Sequence, residues 1–180
     1  MYLYPLPTSL HLSPSFDLPT PDGGVEHTSA EFRHASSWLD LHHERKITMY
    51  PPQYYLLTLL SKYFKGEDVE AERRAFMEFA AKVPTTEDPD AKGHFTSQIP
   101  WSEKVMSPKP IKGYEDGSVA LALDRPSKEV EAFGGKRGGD VENVVVVDLR
   151  KGGPWCYAVR KRAEVLAEDD DSGKGKKGKL

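Results

Sequence analysis

Few residues of this 180-residue chain could carry chemistry, and none has a spacing typical of a known catalytic site. His42, His43 and Glu44 are adjacent in the sequence. Neighbouring residues of a helix point about 100° apart, so these three side chains cannot bind one metal ion from a single helix face. Polar helical residues usually face water. We therefore predict that this run lies on a solvated surface.

The glycine-rich run and the single cysteine also lack the context that chemistry would need. Residues 134–139 ("GGKRGG") do not have the order of a phosphate-binding loop, and we predict a flexible connector there. Cys156 is the only cysteine, which excludes a disulfide within the chain. No histidine or other base is placed to activate it, so we predict a buried structural thiol. The residues alone predict no catalytic residue and no metal ligand.

Composition and charge exclude several partners. The net charge is −3 and the pI ≈ 6.1, which gives no general attraction to nucleic acid or anionic membranes. No apolar run approaches the ~18 residues that a membrane-spanning helix needs. The final run, "EDDDSGKGKKGKL", holds an acidic and a basic cluster but almost no apolar residues. We therefore predict no nucleic-acid partner, no membrane span, and a disordered tail over residues 167–180.

Helices are predicted first along the chain, and strands after them. A short helix is predicted over residues 35–43. A second begins at Pro52, because a proline that precedes a proline leaves the helical region, whereas the second proline suits a first helical turn. A third is predicted over residues 69–83, and a loop follows to residue 98.

After Pro100 the pattern is typical of strands. Residues 104–111 are a candidate strand weakened by prolines, "GYEDGS" is a turn, and residues 119–124 are a second strand. The runs "NVVVVDLR" and "WCYAVRKR" around "KGGP" predict a β-hairpin. Together these elements indicate an α+β chain.

Three segments in order, "MYLYPLP", "PDGGVEHTSAEF" and "ASSWLDLHHERKITMYPPQYYLLTLL", resemble the second half of a Nudix hydrolase. More narrowly, they are similar to fungal relatives of the nucleoside diphosphate-linked moiety X motif 19 proteins. In this resemblance residues 1–6 match a strand of the Nudix sandwich, and Glu26 and Phe32 match the stretch that ends its core. Residues 35–41 match the short helix, and residues 51–54 ("PPQY") match the signature that opens the next helix.

The resemblance implies a fold and a domain division. The fold would be an incomplete Nudix-type α/β/α sandwich with a C-terminal helical and β-hairpin extension. Residues 1–50 would be the C-terminal part of the core, residues 51–166 the extension, and residues 167–180 the tail. The catalytic Nudix box should lie upstream of "MYLY", so we expect a truncated chain. We also expect poor solubility or aggregation, because missing strands would expose sheet edges and apolar faces.

The resemblance also implies an activity. It implies hydrolysis of a pyrophosphate bond in a nucleotide-linked substrate, with coenzyme A and acyl-coenzyme A as the substrate class. The carboxylates of the box would hold Mg²⁺ or Mn²⁺, which bridges phosphate oxygens and positions water. In this chain Gly66 and Glu72 have the spacing of the first two box positions, but Ala80 and Ala81 stand where Arg-Glu should follow.

We therefore assign no metal ligand and predict that the chain alone is inactive. The first alternative is a non-catalytic nucleotide- or protein-binding module derived from that family. The second is a gene-model fragment without a role of its own.

Two segments receive a predicted role. Pro52, Gln53 and Tyr54 would lie at a helix N-terminus, where free N–H groups and the helix dipole favour anions, so they would contact the nucleotide or pantetheine part of the substrate. The alternative is a helix start that packs the extension onto the core.

The last tripeptide, Gly178, Lys179 and Leu180, is similar to the peroxisomal Ser-Lys-Leu signal. We expect an import receptor as a partner and the peroxisome as the location, with the cytoplasm as the alternative.

Overall fold

A computed structural model describes residues 31, 33–128, 131, 137–150 and 152–174. The chain divides into two compact units, Met1–Arg33 and His34–Leu180. In the first unit only Glu31 and Arg33 are described, and they form an ion pair of 2.8 Å. The strand predicted over residues 1–6, together with Glu26 and Phe32, lies outside the described residues. The remaining described elements belong to the second unit, which spans the predicted domain boundary after residue 50.

The three predicted helices are present. Their bounds are α1 Ala35–His43, α2 Pro51–Tyr63 and α3 Val69–Ala81. Helix α2 begins directly after Tyr50, whose backbone is extended and whose N–H donates to the Gln53 side-chain oxygen at 3.0 Å. Helix α3 begins after Asp68, whose carboxylate accepts the Ala71 N–H at 3.0 Å. Local capping chemistry therefore fixes these helix starts.

The segment between α3 and the sheet is more regular than the predicted loop. It contains the short helix α4, Pro89–Lys92, and two 3₁₀ turns, Phe95–Gln98 and Trp101–Glu103. Asp88 caps α4 by accepting the Asp90 N–H at 2.9 Å, and proline occupies the first turn. The prediction of a plain loop up to residue 98 is wrong for this reason.

The described strands form one antiparallel sheet with the order β1-β2-β3-β4. Their bounds are β1 Lys109–Gly113, β2 Ser118–Ala122, β3 Asn143–Asp148 and β4 Trp155–Lys161. The predicted hairpin is confirmed as β3 and β4. Its register shifts between Val146 and Val147, which pair with Ala158 and Cys156, so Tyr157 is the extra residue of a bulge.

Both faces of the central strands are buried. On one face Val145 and Val147 of β3 pack in a core with Tyr55 of α2. On the other face Val144 and Val146 pack with Val165 of the last helix, α5, which spans Arg162–Lys174. A strand that is buried on both faces needs apolar residues at every position, which accounts for the valine run of β3. The chain is thus an α+β protein, with helices against both faces of the sheet.

Helix α5 extends into the segment for which composition predicts disorder, since it includes residues 167–174. Glu168 accepts from Arg160 at 2.6 Å and from Lys112 of β1 at 3.4 Å. Lys112 also donates to the Val165 carbonyl at 2.8 Å. These contacts tie the start of the helix to the sheet, so the helix crosses the predicted boundary at residue 167. Residues 175–180 lie outside the described residues.

Within the described ranges, no helix is long and apolar enough to cross a membrane.

Candidate functional site

The Pro-Pro-Gln-Tyr segment forms the corner at which the chain enters α2. Pro52 is half-buried and Gln53 is exposed. The side-chain oxygen of Gln53 accepts the Tyr50 N–H at 3.0 Å, so this side chain is used to cap its own helix. The role of Gln53 in the structure is therefore a local one.

Tyr54 is buried at the same corner, and its hydroxyl bonds within the fold. It lies 3.0 Å from His43 Nε2 and donates to the Tyr157 carbonyl of β4 at 3.3 Å. Burial raises the pKa of Tyr54, so the phenol keeps its proton. This geometry favours the packing alternative for Pro52, Gln53 and Tyr54 over direct contact with a substrate.

His42 lies in the interior, and the prediction of a solvated histidine run is wrong for this residue. It is 1% exposed, and its Nε2 accepts the Cys156 N–H of β4 at 3.0 Å. Its Nδ1 is 3.1 Å from the Ile47 carbonyl. Because a carbonyl only accepts, Nδ1 carries the proton and the ring is neutral. Burial lowers the pKa of His42, which favours that neutral form.

Cys156 is a buried thiol, as predicted. Burial raises the pKa of the thiol to about 12, so it stays protonated at neutral pH. A protonated thiol is a poor nucleophile and a poor metal ligand. Cys156 therefore acts as a core residue of β4.

A polar cavity of about 40 Å³ lies beside the start of β3. Its walls include Trp101, Lys104 and Asp140. Trp101 opens the second 3₁₀ turn and Lys104 directly follows that turn, whereas Asp140 lies in the chain that enters β3. The cavity is therefore assembled from segments far apart in the sequence.

Asp140 is a buried carboxylate at this cavity, and three donors surround it. It accepts the Tyr55 hydroxyl, the Asn143 side-chain amide at 2.5 Å and the Glu142 N–H at 2.8 Å. Burial, together with the charge of Asp140, raises the pKa of Tyr55 well above its usual value, so Tyr55 remains a donor. The charge of Asp140 is thus compensated by hydrogen bonds from α2 and from β3.

Lys104 is the cation of the cavity. Its Nζ donates to the Thr96 carbonyl at 2.6 Å and to the Gly139 carbonyl at 2.9 Å. It also lies 4.7 Å from the centre of the Trp101 ring. No carboxylate among the described residues comes within ion-pair distance of it. Burial lowers the pKa of Lys104 to about 8, and the nearby Asp140 partly opposes this effect.

A second, larger cavity of about 140 Å³ adjoins this one, and Trp101, Thr85 and Thr86 lie in the walls of both. The Trp101 ring stacks with Phe79 at 5.5 Å and with Tyr55 at 6.1 Å between centroids. Its Nε1 is buried and has no hydrogen-bond partner among the described residues. The larger cavity has Phe79 and Pro84 in its walls, and both cavities share Trp101. They therefore form two adjacent compartments, one polar and one mostly apolar.

Gly138 and Gly139 bring the chain to this site by a close backbone approach. An added Cβ would lie 2.3 Å from the Asp124 carbonyl oxygen at Gly138, and 2.1 Å from the Leu123 carbonyl oxygen at Gly139. Only glycine fits such a contact. The prediction of a flexible connector is wrong for these two residues, and residues 134–136 lie outside the described part.

Sequence reasoning did not single out Lys104, Trp101 or Asp140. The one available signal was the Gly138-Gly139 pair directly before Asp140, since paired glycines also mark places where backbones meet. Nothing in the sequence pattern places Trp101 and Lys104 beside Asp140, because the contacts join separate segments.

The structure assigns no ligands to the Mg²⁺ or Mn²⁺ that the resemblance implies. Among the described residues there is no group of three or more His, Cys, Asp or Glu side chains that could hold a metal ion. Gly178, Lys179 and Leu180 lie outside the described residues.

No family model, no curated protein and no solved structure matches this chain.

Proposed function

We propose that this chain is the C-terminal portion of a Nudix-type hydrolase of coenzyme A or acyl-coenzyme A, and that it does not hydrolyse these substrates alone. The observation that carries the proposal is the order of the segments from α1 to the Pro-Pro-Gln-Tyr helix start. The bounds of α1, Ala35–His43, and of α2, Pro51–Tyr63, support it because they fall on the segments that carry the resemblance.

In this proposal the corner between α1 and α2 holds the two parts of the protein in register. Gln53 caps α2, and Tyr54 bonds to His43 and to β4. These contacts fix the direction in which the following helix leaves the corner. The role is positional, and the reacting groups would come from the Nudix box outside this chain.

The divalent metal of such an enzyme would offset phosphate charge and position the attacking water. The described residues offer no ligand set for it. We therefore derive no catalytic step from the side chains of this chain.

The test is the release of adenosine 3′,5′-bisphosphate from coenzyme A in the presence of Mg²⁺ or Mn²⁺. The chain alone should give no release above the blank. The protein extended by its in-frame upstream segment should release it, and omission of the metal should abolish the release. Turnover by the chain alone would contradict the proposal. So would the lack of turnover by an extended protein that carries the box.

We also propose that the C-terminal tripeptide directs the protein to the peroxisome. A fluorescent protein that carries the last residues of this chain should co-localise with a peroxisomal marker. Deletion of Leu180 should return it to the cytoplasm, and Gly178→Ser should strengthen import because serine restores the Ser-Lys-Leu form. A diffuse signal for both the native tail and the Gly178→Ser tail would reject this assignment.

The two compartments around Trp101 favour a second candidate function, a non-catalytic binding module. Calorimetry with coenzyme A distinguishes the binding module from the hydrolase portion. Binding by the chain without turnover, in a protein that has no upstream box, would favour the binding module.

A further inference from the structure

The last helix, α5, packs on the sheet through a single buried apolar side chain. Over residues 162–168 Val165 alone is buried, and it clusters with Ala120, Val144 and Val146. Leu166, the next residue, is 45% exposed. Most of the stability of a helix in a protein comes from the packing of an apolar face. Packing alone therefore holds this part of α5 weakly.

The sheet face under α5 is apolar and closed to water. Ala120 of β2 and Val144 of β3 are 0% exposed, and Val146 is 8% exposed. Because Val165 belongs to the same cluster, detachment of α5 would uncover part of this face. An uncovered apolar surface of this kind is a typical place for a partner to bind.

Polar contacts between α5 and the two outer strands of the described sheet add to this packing. The Glu168 carboxylate accepts from Arg160 of β4 at 2.6 Å and from Lys112 of β1 at 3.4 Å. The Lys112 ammonium also donates to the Val165 carbonyl at 2.8 Å. Since β1 and β4 are at opposite ends of the strand order, Glu168 joins the two sides of the sheet across its face.

The charge of Glu168 makes the docked position of α5 favourable. The Lys112 side chain is 9% exposed under the docked helix, and the Glu168 carboxylate offsets its charge. Removing one partner of a buried ion pair is costly, whereas detachment of the helix would return Lys112 to water. Loss of the Glu168 charge therefore favours the detached helix. Salt acts in the same direction, because Arg160 and Glu168 are 34% and 40% exposed and can be screened.

The first residue of α5 is anchored independently of these contacts. The Arg162 N–H donates to the Glu142 carbonyl at 2.7 Å, and its guanidinium lies 3.1 Å from the Asp124 carboxylate. Strand β4 ends at Lys161, so α5 follows it without a linker. Glu168 lies nearly two turns further along the helix. The helix is thus held at two points, and Arg162 is the point about which it would turn.

We propose that α5 is a strap that detaches from the sheet while the four described strands stay paired, and that Glu168 is the contact that keeps it closed. The strap pivots at Arg162 and, when open, exposes the apolar face of Ala120, Val144 and Val146. It is separate from the corner between α1 and α2 that carries the proposed function, so either proposal can fail without the other.

The test is amide hydrogen exchange of the full chain, resolved by residue and compared between α5 and β3. The amides of residues 166–168 should exchange through an opening at least about tenfold more populated than the opening that exposes residues 144–147, because only the strap has to detach. Raising NaCl from about 50 mM to about 500 mM should speed exchange in α5 about threefold relative to β3.

Two substitutions distinguish the Glu168 contact from a general effect of charge on the helix. Glu168→Gln keeps the shape and removes the charge, so it should speed exchange of residues 166–168 about fivefold or more at low salt and leave β3 unchanged. It should also remove most of the salt dependence. Glu164→Gln is the matched control. Glu164 is exposed on the same helix and makes no hydrogen bond or ion pair with the other described residues, so its change should have an effect below about twofold.

Several results would overturn the proposal. One is exchange of α5 and β3 through equally populated openings in the native chain, because the helix would then detach only when the whole fold opens. Another is α5 exchange in the native chain that does not respond to salt. Equal exchange rates in Glu168→Gln and Glu164→Gln, or an acceleration of β3 as large as that of α5 in Glu168→Gln, would also reject it. The first two measurements use the native chain and do not depend on a variant folding.

Discussion

At the scale of single residues, the backbone of β4 is held by two side chains from the helices. The Cys156 N–H donates to His42, and the Tyr157 carbonyl accepts from Tyr54. Because β4 lies at the edge of the described sheet, these backbone groups have no neighbouring strand there to bond with. The two side chains therefore take the place of a strand at the bulge.

We predict that His42→Leu lowers the free energy of unfolding by about 2–4 kcal/mol, because it leaves the buried Cys156 N–H without an acceptor and disturbs the packing. Urea unfolding followed by circular dichroism measures the change. The neighbouring, exposed His43 supplies the control, and His43→Leu should cost less than about 1 kcal/mol. Similar losses for the two variants would contradict the assignment.

The same histidine predicts a pH dependence of stability. Burial lowers the pKa of His42 from its usual 6.5, so in the window just below 6.5 the unfolded chain binds the proton more readily than the folded chain. This contribution is fully present above pH 6.5 and is lost as the pH falls towards the folded pKa, by at most about 1.4 kcal/mol per pH unit. Unfolding free energies at pH 7.5 and 5.5 should therefore differ more in the native chain than in His42→Leu. An equal difference in both would reject the prediction.

At the scale of elements, the approach of Gly138 and Gly139 to the end of β2 joins the sheet to the cavity. We predict that Gly139→Ala costs more than about 3 kcal/mol, since its Cβ would lie 2.1 Å from a backbone oxygen that cannot move alone. Gly93→Ala is the control, because nothing lies within 4 Å of its added Cβ and its φ is −79°. Thermal melting of both variants checks this, and a small loss for Gly139→Ala would show that the two segments separate easily.

The turn between α2 and α3 depends on Glu72. Its carboxylate accepts the N–H groups of Lys65 and Gly66 at 2.9 Å and of Glu67 at 3.2 Å. The Gly66 and Glu72 pair that has the spacing of a Nudix box therefore has a structural use here. We expect Glu72→Ala to lower stability by about 1–2 kcal/mol and Glu70→Ala, on the same helix, to have little effect. Denaturant midpoints of the two variants test this, and equal midpoints would contradict it.

Local signals predicted the helices and the hairpin well, and long-range contacts account for what was missed. The proline pair marks the start of α2 in the sequence, although the predicted start at Pro52 is wrong by one residue, because the helix begins at Pro51 directly after Tyr50. The burial of His42 depends on Cys156, which lies far along the chain, and no local pattern reports such a contact. The sequence pattern does not reveal Lys104 for the same reason, since the Gly139 carbonyl to which it donates belongs to a distant segment.

At the scale of the whole molecule, the described sheet has helices on both faces. Both of its edge strands carry features that oppose pairing with a further strand. At the β1 edge, Pro110 and a register shift between Pro110 and Lys112 oppose further strand pairing. At the β4 edge the bulge and the side chains of His42 and Tyr54 do the same. These features concern the described strands alone.

The aggregation expected of a truncated core stays a prediction. Size-exclusion chromatography of the full chain, with a thermal melt, tests it. A monodisperse protein that melts cooperatively would count against truncation.

The central claim is that this chain is the C-terminal portion of a Nudix-type hydrolase. The most direct measurement is to map the 5′ end of the transcript that encodes it. We expect an in-frame upstream segment that carries Gly-x5-Glu-x7-Arg-Glu-aliphatic-x-Glu-Glu, the box that would hold the metal. A message that begins at Met1, or an upstream segment without this box, would contradict the account.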